Sequence, residues 1–149
     1  MIVEDIYTPL DDVYMLEINQ KIDNALMRDI YEKGYSRIPI YKNERENIVG
    51  FLLARDLVLL NTEKRSLTLR QLSSILFEEA VIIPHNDEIE KIFGFFKKGL
   101  THIAVVSKVF QEDLRKDPVR KVIGIITMED IIEAIIDDEI EDEKNMTAQ

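Results

Sequence analysis

A hydroxyl and a carboxylate three residues apart, Thr127 and Asp130, stand where an uninterrupted apolar run gives way to an acidic, helix-forming one. Such a pair can donate to and accept from a polar ligand beside a helix N-terminus that favours anions. The plainer role is local, with Thr127 as a helix N-cap. A second candidate is Tyr35-Ser36-Arg37-Ile38-Pro39. Here a ring stands beside a planar donor fork suited to anions, on a strand whose backbone can serve as a wall. Its plainer reading is a half-buried Tyr35 and a surface Arg37. Other chemistry finds little support. With no cysteine, thiol catalysis and zinc-thiolate sites are excluded. Neither His85 nor His102 has a carboxylate at the spacing of a helical zinc motif, and no nucleophile elbow, phosphate loop or dinucleotide glycine pattern is present. Glu78-Glu79 and Asp11-Asp12 fall on expected turns, where solvation is their role. These residues point to binding rather than to catalysis.

The elements that must position them recur. Gly124 to Asp130 has an earlier echo in Gly50 to Asp56, each with a glycine, an apolar strand and an aspartate six residues on. A repeat of this kind governs the whole fold. A helix is expected from Ile22 to Gly34, then a short strand over Tyr35–Tyr41 whose Pro39 suits a sheet edge. A charged turn follows over Lys42–Asn47, a buried strand over Ile48–Leu53 and a helix over Arg55–Leu60. The order repeats as an extended Val81–Ile83, a helix over Asp87–Lys98, strands over Thr101–Val106 and Val122–Thr127, and a helix from Met128 to about Ile140. Aligning Gly34 with Gly99 sets His102 and Ala104 opposite Arg37 and Pro39 and leaves about nine extra residues in the second copy. These form an extended loop, 107–121, a candidate contact surface. The expected division is a first repeat over 1–62, a connector over 63–80, a second repeat over 81–141 and a polar tail over 142–149.

Length and charge fit this plan. The 149 residues, 46% of them hydrophobic, suffice for one compact domain or two small halves. The net charge is -10, yet Glu129–Glu143 holds nine acids and no base, so the body is nearly neutral. Without a basic stripe, a nucleic-acid backbone is not an expected partner. No run approaches the ~18 apolar residues of a membrane span, and Met1 leads into Glu4 and Asp5 rather than a signal core. A soluble, untargeted piece is expected, and a longer chain whose membrane part is absent is left open.

Two helix-strand-strand-helix units, each with a glycine-led apolar strand running into a helix, resemble the cystathionine-beta-synthase (CBS) domain pair, or Bateman module, across residues 1 to about 141. Within that superfamily T-P-L-D-D-V (8–13), G-Y-S-R-I-P-I-Y (34–41), the run from Lys116 to Ile136 and D-E-I-E-D-E (138–143) are similar to the cytosolic module of the cyclin M (CNNM)/CorC family, associated with magnesium transport. The resemblance implies an α/β fold of tandem repeats with pseudo-twofold symmetry and small sheets flanked by helices. It also implies an adenine nucleotide in a cleft between the halves, held by Thr8, Tyr35, Ser36, Arg37, Ile38, Pro39, Thr127 and Asp130. In that role Asp130 accepts the ribose hydroxyls, Thr127 reaches ribose or phosphate, Tyr35 faces the base, Arg37 meets phosphate and Thr8 closes the pocket. The second site should be poorer, since Leu53 replaces Thr127 there, so one nucleotide per chain is expected.

The expected ligand is ATP with Mg2+, because a magnesium ion on the phosphates reduces repulsion from an anionic module. Glu129, Asp137 and Asp138 are candidates to approach it, although a solvated helix face suits most of that run. The resemblance further implies a sensor on the cytosolic face of a membrane, attached to a transmembrane domain of the same chain, and not an enzyme. Ile131, Ile132, Ile135 and Ile136 form an apolar face suited to a homodimer. Asp117, before Pro118, stands where animal relatives insert an aspartate into a phosphatase of regenerating liver, although Val119-Arg120 departs from their aromatics. The alternatives are a sensor of AMP or another adenosyl ligand in a different host protein, and a dimerisation module that binds nothing.

Overall fold

The structure, a computed structural model, describes residues 1–60, 66–99 and 101–147. The boundary expected at 62/63, the start of the connector at 63–65, Leu100 and the last two residues of the tail lie outside the described residues. In chain order, a 3-10 turn at Val3–Asp5 leads to β1 (Thr8–Pro9), β2 (Leu16–Glu17), β3 (Lys21–Ile22), α1 (Asn24–Lys33), β4 (Arg37–Lys42), β5 (Glu44–Leu53) and α2 (Ala54–Leu57). Then come β6 (Leu67–Thr68), α3 (Leu69–Leu76), β7 (Phe77–Glu78), β8 (Ile82–Pro84), α4 (Ile89–Lys98), β9 (Ile103–Phe110), β10 (Val119–Thr127) and α5 (Met128–Thr147). The fold is mixed α/β, built from two repeats.

The chain forms two compact units, Asp12–Ala80 and Met1–Asp11 with Val81–Gln149. Each holds a four-stranded sheet of the same plan, β2-β4-β5-β7 in one and β8-β9-β10-β1 in the other. The first strand of each pairs parallel with its neighbour, and the central hairpin and the last strand pair antiparallel. The segment leading into each repeat thus completes the sheet of the other. β1 precedes the first repeat in sequence but joins β10, whereas β7 precedes the second and joins β5.

The paired glycines are explained by these added strands. A Cβ on Gly124 would collide with the Thr8 carbonyl oxygen and lie 2.8 and 2.9 Å from Tyr7 ring carbons, and one on Gly50 would lie 3.0 Å from the Glu78 carbonyl oxygen. Only glycine lets another backbone approach this closely.

Each unit has its own core. In the unit Asp12–Ala80, Ile18, Ile22, Leu26, Ile30, Ile38, Ile40, Leu52, Leu57 and Leu69 pack together. In the other, Val3, Ile92, Phe96, Ala104, Val106, Ile126 and Ile131 do so. α1 starts at Asn24, two residues later than expected, because Ile22 pairs within β3 and the Asp23 side chain caps the helix by accepting from the Leu26 N–H at 2.8 Å; it stops at Gly34, whose φ of 74° is left-handed.

Several expectations are corrected. β4 is an inner strand, not an edge; Pro39 is accommodated because β2 reaches only Ile40 and Tyr41. The charged stretch Lys42–Asn47 is no wide turn, since the chain reverses at Asn43, at a left-handed φ of 65°, and β5 begins at Glu44. Asparagine tolerates that conformation better than other side-chain-bearing residues do. The loop expected over 107–121 is largely hairpin, with β9 running to Phe110 and β10 starting at Val119. Only 111–118 remains as the connection, and there the Gln111 side chain donates to the carbonyls of Asp113 and Lys116. The last helix does not stop near Ile140 but continues to Thr147, taking in most of the expected tail. Glutamate and lysine are good helix formers, and nothing in that run breaks the pattern. The apolar face of α5 is also divided: Ile131 is fully buried and Ile135 packs on the core, while Ile132, Ile136 and Ile140 are exposed as an i, i+4 row.

Candidate functional site

Thr8, Thr127 and Asp130 belong to one unit, and Tyr35, Ser36, Arg37, Ile38 and Pro39 to the other. In the first group, Thr127 ends β10 and α5 begins at Met128. The Asp130 carboxylate accepts from the Thr127 N–H at 3.0 Å, and the Thr127 hydroxyl accepts from the Asp130 N–H at 3.1 Å. This reciprocal pair caps the helix. It confirms the plainer role without exhausting either group, because the second carboxylate oxygen and the hydroxyl proton have further bonding capacity. Thr8 lies on the neighbouring strand, opposite Ile125.

The other group lies on and just before β4. Tyr35, Ser36 and Arg37 line a cavity of about 490 Å³, together with Tyr31 from α1 and Leu53 and Arg55 from the end of β5 and the start of α2. Ile38 and Pro39 are not among its lining residues. Both are buried, and the Ile38 side chain belongs to the core, so only their backbone could serve a ligand. Tyr35 is 53% exposed, and its ring stacks against Tyr14 with centroids 6.0 Å apart. Tyr14 is itself anchored by donating its hydroxyl to Asp29 at 2.6 Å. Burial, and then the Asp29 carboxylate, hold the Tyr14 hydroxyl well above the usual tyrosine range, so it remains a donor. Arg37 Nε lies 3.4 Å from a carboxylate oxygen of Glu78. Glu78 was expected on a solvated turn, but as part of β7 it faces the fork of Arg37.

Strand register corrects the alignment of the two copies. Arg37 pairs with Leu53 and Ile40 with Gly50, while Ile103 pairs with Thr127 and Val106 with Gly124. The residues equivalent to Arg37 and Pro39 are therefore Ile103 and Val105, not His102 and Ala104. Nine residues separate Ile40 from Gly50 and seventeen separate Val106 from Gly124, so the insertion is eight residues rather than nine. His102 corresponds to Ser36; each offers its carbonyl to the first N–H of the following helix, Met128 at 2.8 Å and Ala54 at 2.9 Å. Leu53 precedes α2 without a side-chain cap, and that helix is only four residues long.

A cluster that sequence reasoning missed fastens the opening segment to its unit. Glu4 accepts from Lys108 Nζ at 3.0 Å and lies 2.9 Å from His85 Nδ1. The Lys108 hydrogen bond, then that of His85, hold the Glu4 carboxyl below the ordinary glutamate range. A depressed carboxylate stabilises the fold above its unfolded pKa, and that stability is lost as pH falls through the folded value. Wild type is expected to melt above a Glu4→Gln variant near neutrality. The difference should shrink as pH drops below about 4.3, the ordinary glutamate value; thermal melts across pH 3–7 check this, and a constant difference would contradict it.

The fold and the two repeats are those of one family: residues 3–61 and 72–137 match the CBS domain, and the chain belongs to the CBS-domain family. It is similar to the metal transporter cnnm-1 of Caenorhabditis elegans, 29% identical over 143 residues, which is 95% of this chain and 18% of that protein. The chain therefore spans about a fifth of the length of that curated relative. Among solved structures it resembles the CBS domain of a bacterial CNNM/CorC-family Mg2+ transporter in complex with ATP, with a TM-score of 0.75 and 24% identity over 91% of this chain and 87% of that one. It also resembles a CBS-domain pair from Klebsiella pneumoniae with bound AMP, with a TM-score of 0.68 and 21% identity over 91% of this chain and 98% of that one. Among the described residues no helix is long and apolar enough to cross a membrane.

Proposed function

We propose that this chain is the regulatory nucleotide-binding module of a CNNM/CorC-type magnesium transport protein, taking one ATP per chain. The observation that carries the reading is the cavity of about 490 Å³ lined by Tyr35, Ser36 and Arg37. Its size suits a ligand of small-molecule dimensions, and its polar side chains are donors. The family resemblance supports Arg37 as a phosphate contact and, in the other unit, Asp130 as the acceptor of ribose hydroxyls, with Thr127 and Thr8 as further polar contacts. The similarity to a transporter domain in complex with ATP supports the choice of nucleotide. Among the described residues no three histidine, aspartate or glutamate side chains gather as a metal site. Mg2+ is proposed as a partner of the nucleotide phosphates, which need add only one or two protein carboxylates to its shell.

The module acts as a sensor rather than an enzyme. Nucleotide favours one arrangement of the chain over another, and that difference in affinity is what a transport domain can read. We place it on the cytosolic face of a membrane, joined to the transmembrane part of a longer chain. The exposed row Ile132, Ile136 and Ile140 supports a homodimer through α5. Asp117, exposed on the 111–118 connection, remains the proposed contact for a phosphatase of regenerating liver.

Calorimetric titration with ATP, with and without magnesium and beside AMP, tests the reading. Saturation near one ATP per chain, tighter with magnesium, is the expected result. The resemblance to a pair with bound AMP keeps one rival in view, and tighter binding of AMP than of ATP would establish that rival. Heat from neither nucleotide would leave a dimerisation module.

A further inference from the structure

We infer that Arg55 is a second phosphate contact of the cavity in the unit Asp12–Ala80, and that with Arg37 it makes this cavity select a polyphosphate chain over an uncharged or singly phosphorylated adenosine. The inference rests on the nucleotide reading above and deepens it.

The first observation is the sign of the lining. Arg37 and Arg55 both border the cavity, Ser36 adds a hydroxyl, and none of the lining residues is an aspartate or glutamate. In a chain where 29 acids face 19 bases, two arginines on one cavity without a lining acid mark a local reversal of charge. A surface arginine in isolation would mean little. Two arginines bordering one concavity are suited to the several oxygens of a polyphosphate.

The second observation is the contrast between the copies. Strand register makes Ile103 the equivalent of Arg37, and carrying it through Gly50 and Gly124 makes Glu129 the equivalent of Arg55. Both cations are absent from the second copy, and one is replaced by an anion. Cap chemistry is divided in the opposite way. α5 has the Thr127–Asp130 box at its start, whereas the four-residue α2 has no side-chain cap and is too short to attract an anion by its dipole. Any anion affinity of the first-copy cavity must therefore come from side chains.

The third observation is Glu78, whose carboxylate oxygen lies 3.4 Å from Arg37 Nε. An acidic oxygen already rests against one of the two guanidinium groups. A phosphate oxygen arriving there would compete with it, so Glu78 tempers affinity.

The test measures Kd for ATP, AMP and adenosine by calorimetry, all in magnesium buffer, for wild type, Arg55→Ala, Arg55→Lys, Arg55→Glu and Glu78→Gln. Arg55→Ala should weaken ATP about tenfold, as loss of one charge-assisted contact does, and change adenosine less than about twofold. Arg55→Lys should recover part of the loss, Arg55→Glu should exceed it, and Glu78→Gln should tighten ATP severalfold. Tripolyphosphate should compete with ATP for wild type and poorly for Arg55→Ala, which assigns the effect to the phosphates and not to the base. Arg55 is exposed, so melting temperatures should stay near wild type. If Arg55→Ala binds ATP as wild type does, or loses ATP and adenosine equally, the inference is overturned while the nucleotide reading stands. If wild type binds none of the three, both fall.

Discussion

An Asp130→Ala chain is expected to bind ATP about a hundredfold more weakly than wild type. A carboxylate accepting two ribose hydroxyls contributes about 3 kcal/mol through two hydrogen bonds to a charged group, and each 1.4 kcal/mol is a factor of ten. The same carboxylate caps α5 by accepting from the Thr127 N–H at 3.0 Å. The variant should therefore also lose about 1 kcal/mol of stability, a fall of a few degrees in Tm. Asp130→Asn separates the two effects, because an amide oxygen still accepts from Thr127 and holds the helix start while ribose binding weakens. Calorimetry beside thermal melts reads both. An Asp130→Ala protein that melts lower yet binds ATP with wild-type affinity would reduce this residue to a helix cap.

Gly124→Ala is expected to cost about 3 kcal/mol, at the upper end of overpacking penalties, and to lower Tm by about ten degrees. The added methyl has nowhere to go, since it meets the Thr8 carbonyl oxygen on one side and the Tyr7 ring on the other. Backbone cannot yield as the tip of a side chain can, so β1 must leave β10, taking Thr8 with it. Gly50→Ala is the internal control. Its Cβ would lie 3.0 Å from the Glu78 carbonyl oxygen and 3.3 Å from Phe77, a tight fit that smaller shifts relieve. Chemical denaturation should rank Gly124→Ala clearly below Gly50→Ala. Equal losses would show that the approach of β1 does not set the need for glycine.

The parts of this protein that could be read from sequence are those fixed by local chemistry. Gly34 announced the end of α1, the apolar runs announced the inner parts of β5 and β10, and the Thr127–Asp130 spacing announced a capped helix start. Misreadings arose where like residues adopt unlike conformations. Gly34 is left-handed at φ 74°, whereas Gly99 is extended at φ -91°, so aligning the two glycines shifted the copies by one residue and set His102 where Ile103 belongs.

Charged stretches misled in a second way. Lys42–Asn47 is hydrophilic because it lies on an exposed hairpin whose reversal takes up only Asn43. Contacts made by distant residues left no local trace: Arg37 and Glu78 are 41 positions apart, and Glu4 lies 104 from Lys108. The place of β1 in the sheet of the second repeat is of the same kind, since only strand pairing reveals it. Arg55 was within reach of sequence alone, because comparison of Gly50–Asp56 with Gly124–Asp130 sets Arg55 against Glu129.

The most direct test of the whole account is amide chemical-shift mapping of the 17.4 kDa chain during titration with ATP and magnesium. The largest shifts are expected on Thr8, on 35–39, on Arg55 and on 127–130, saturating near one equivalent. Saturating shifts confined to other residues, or no shifts at any of these positions, would contradict it.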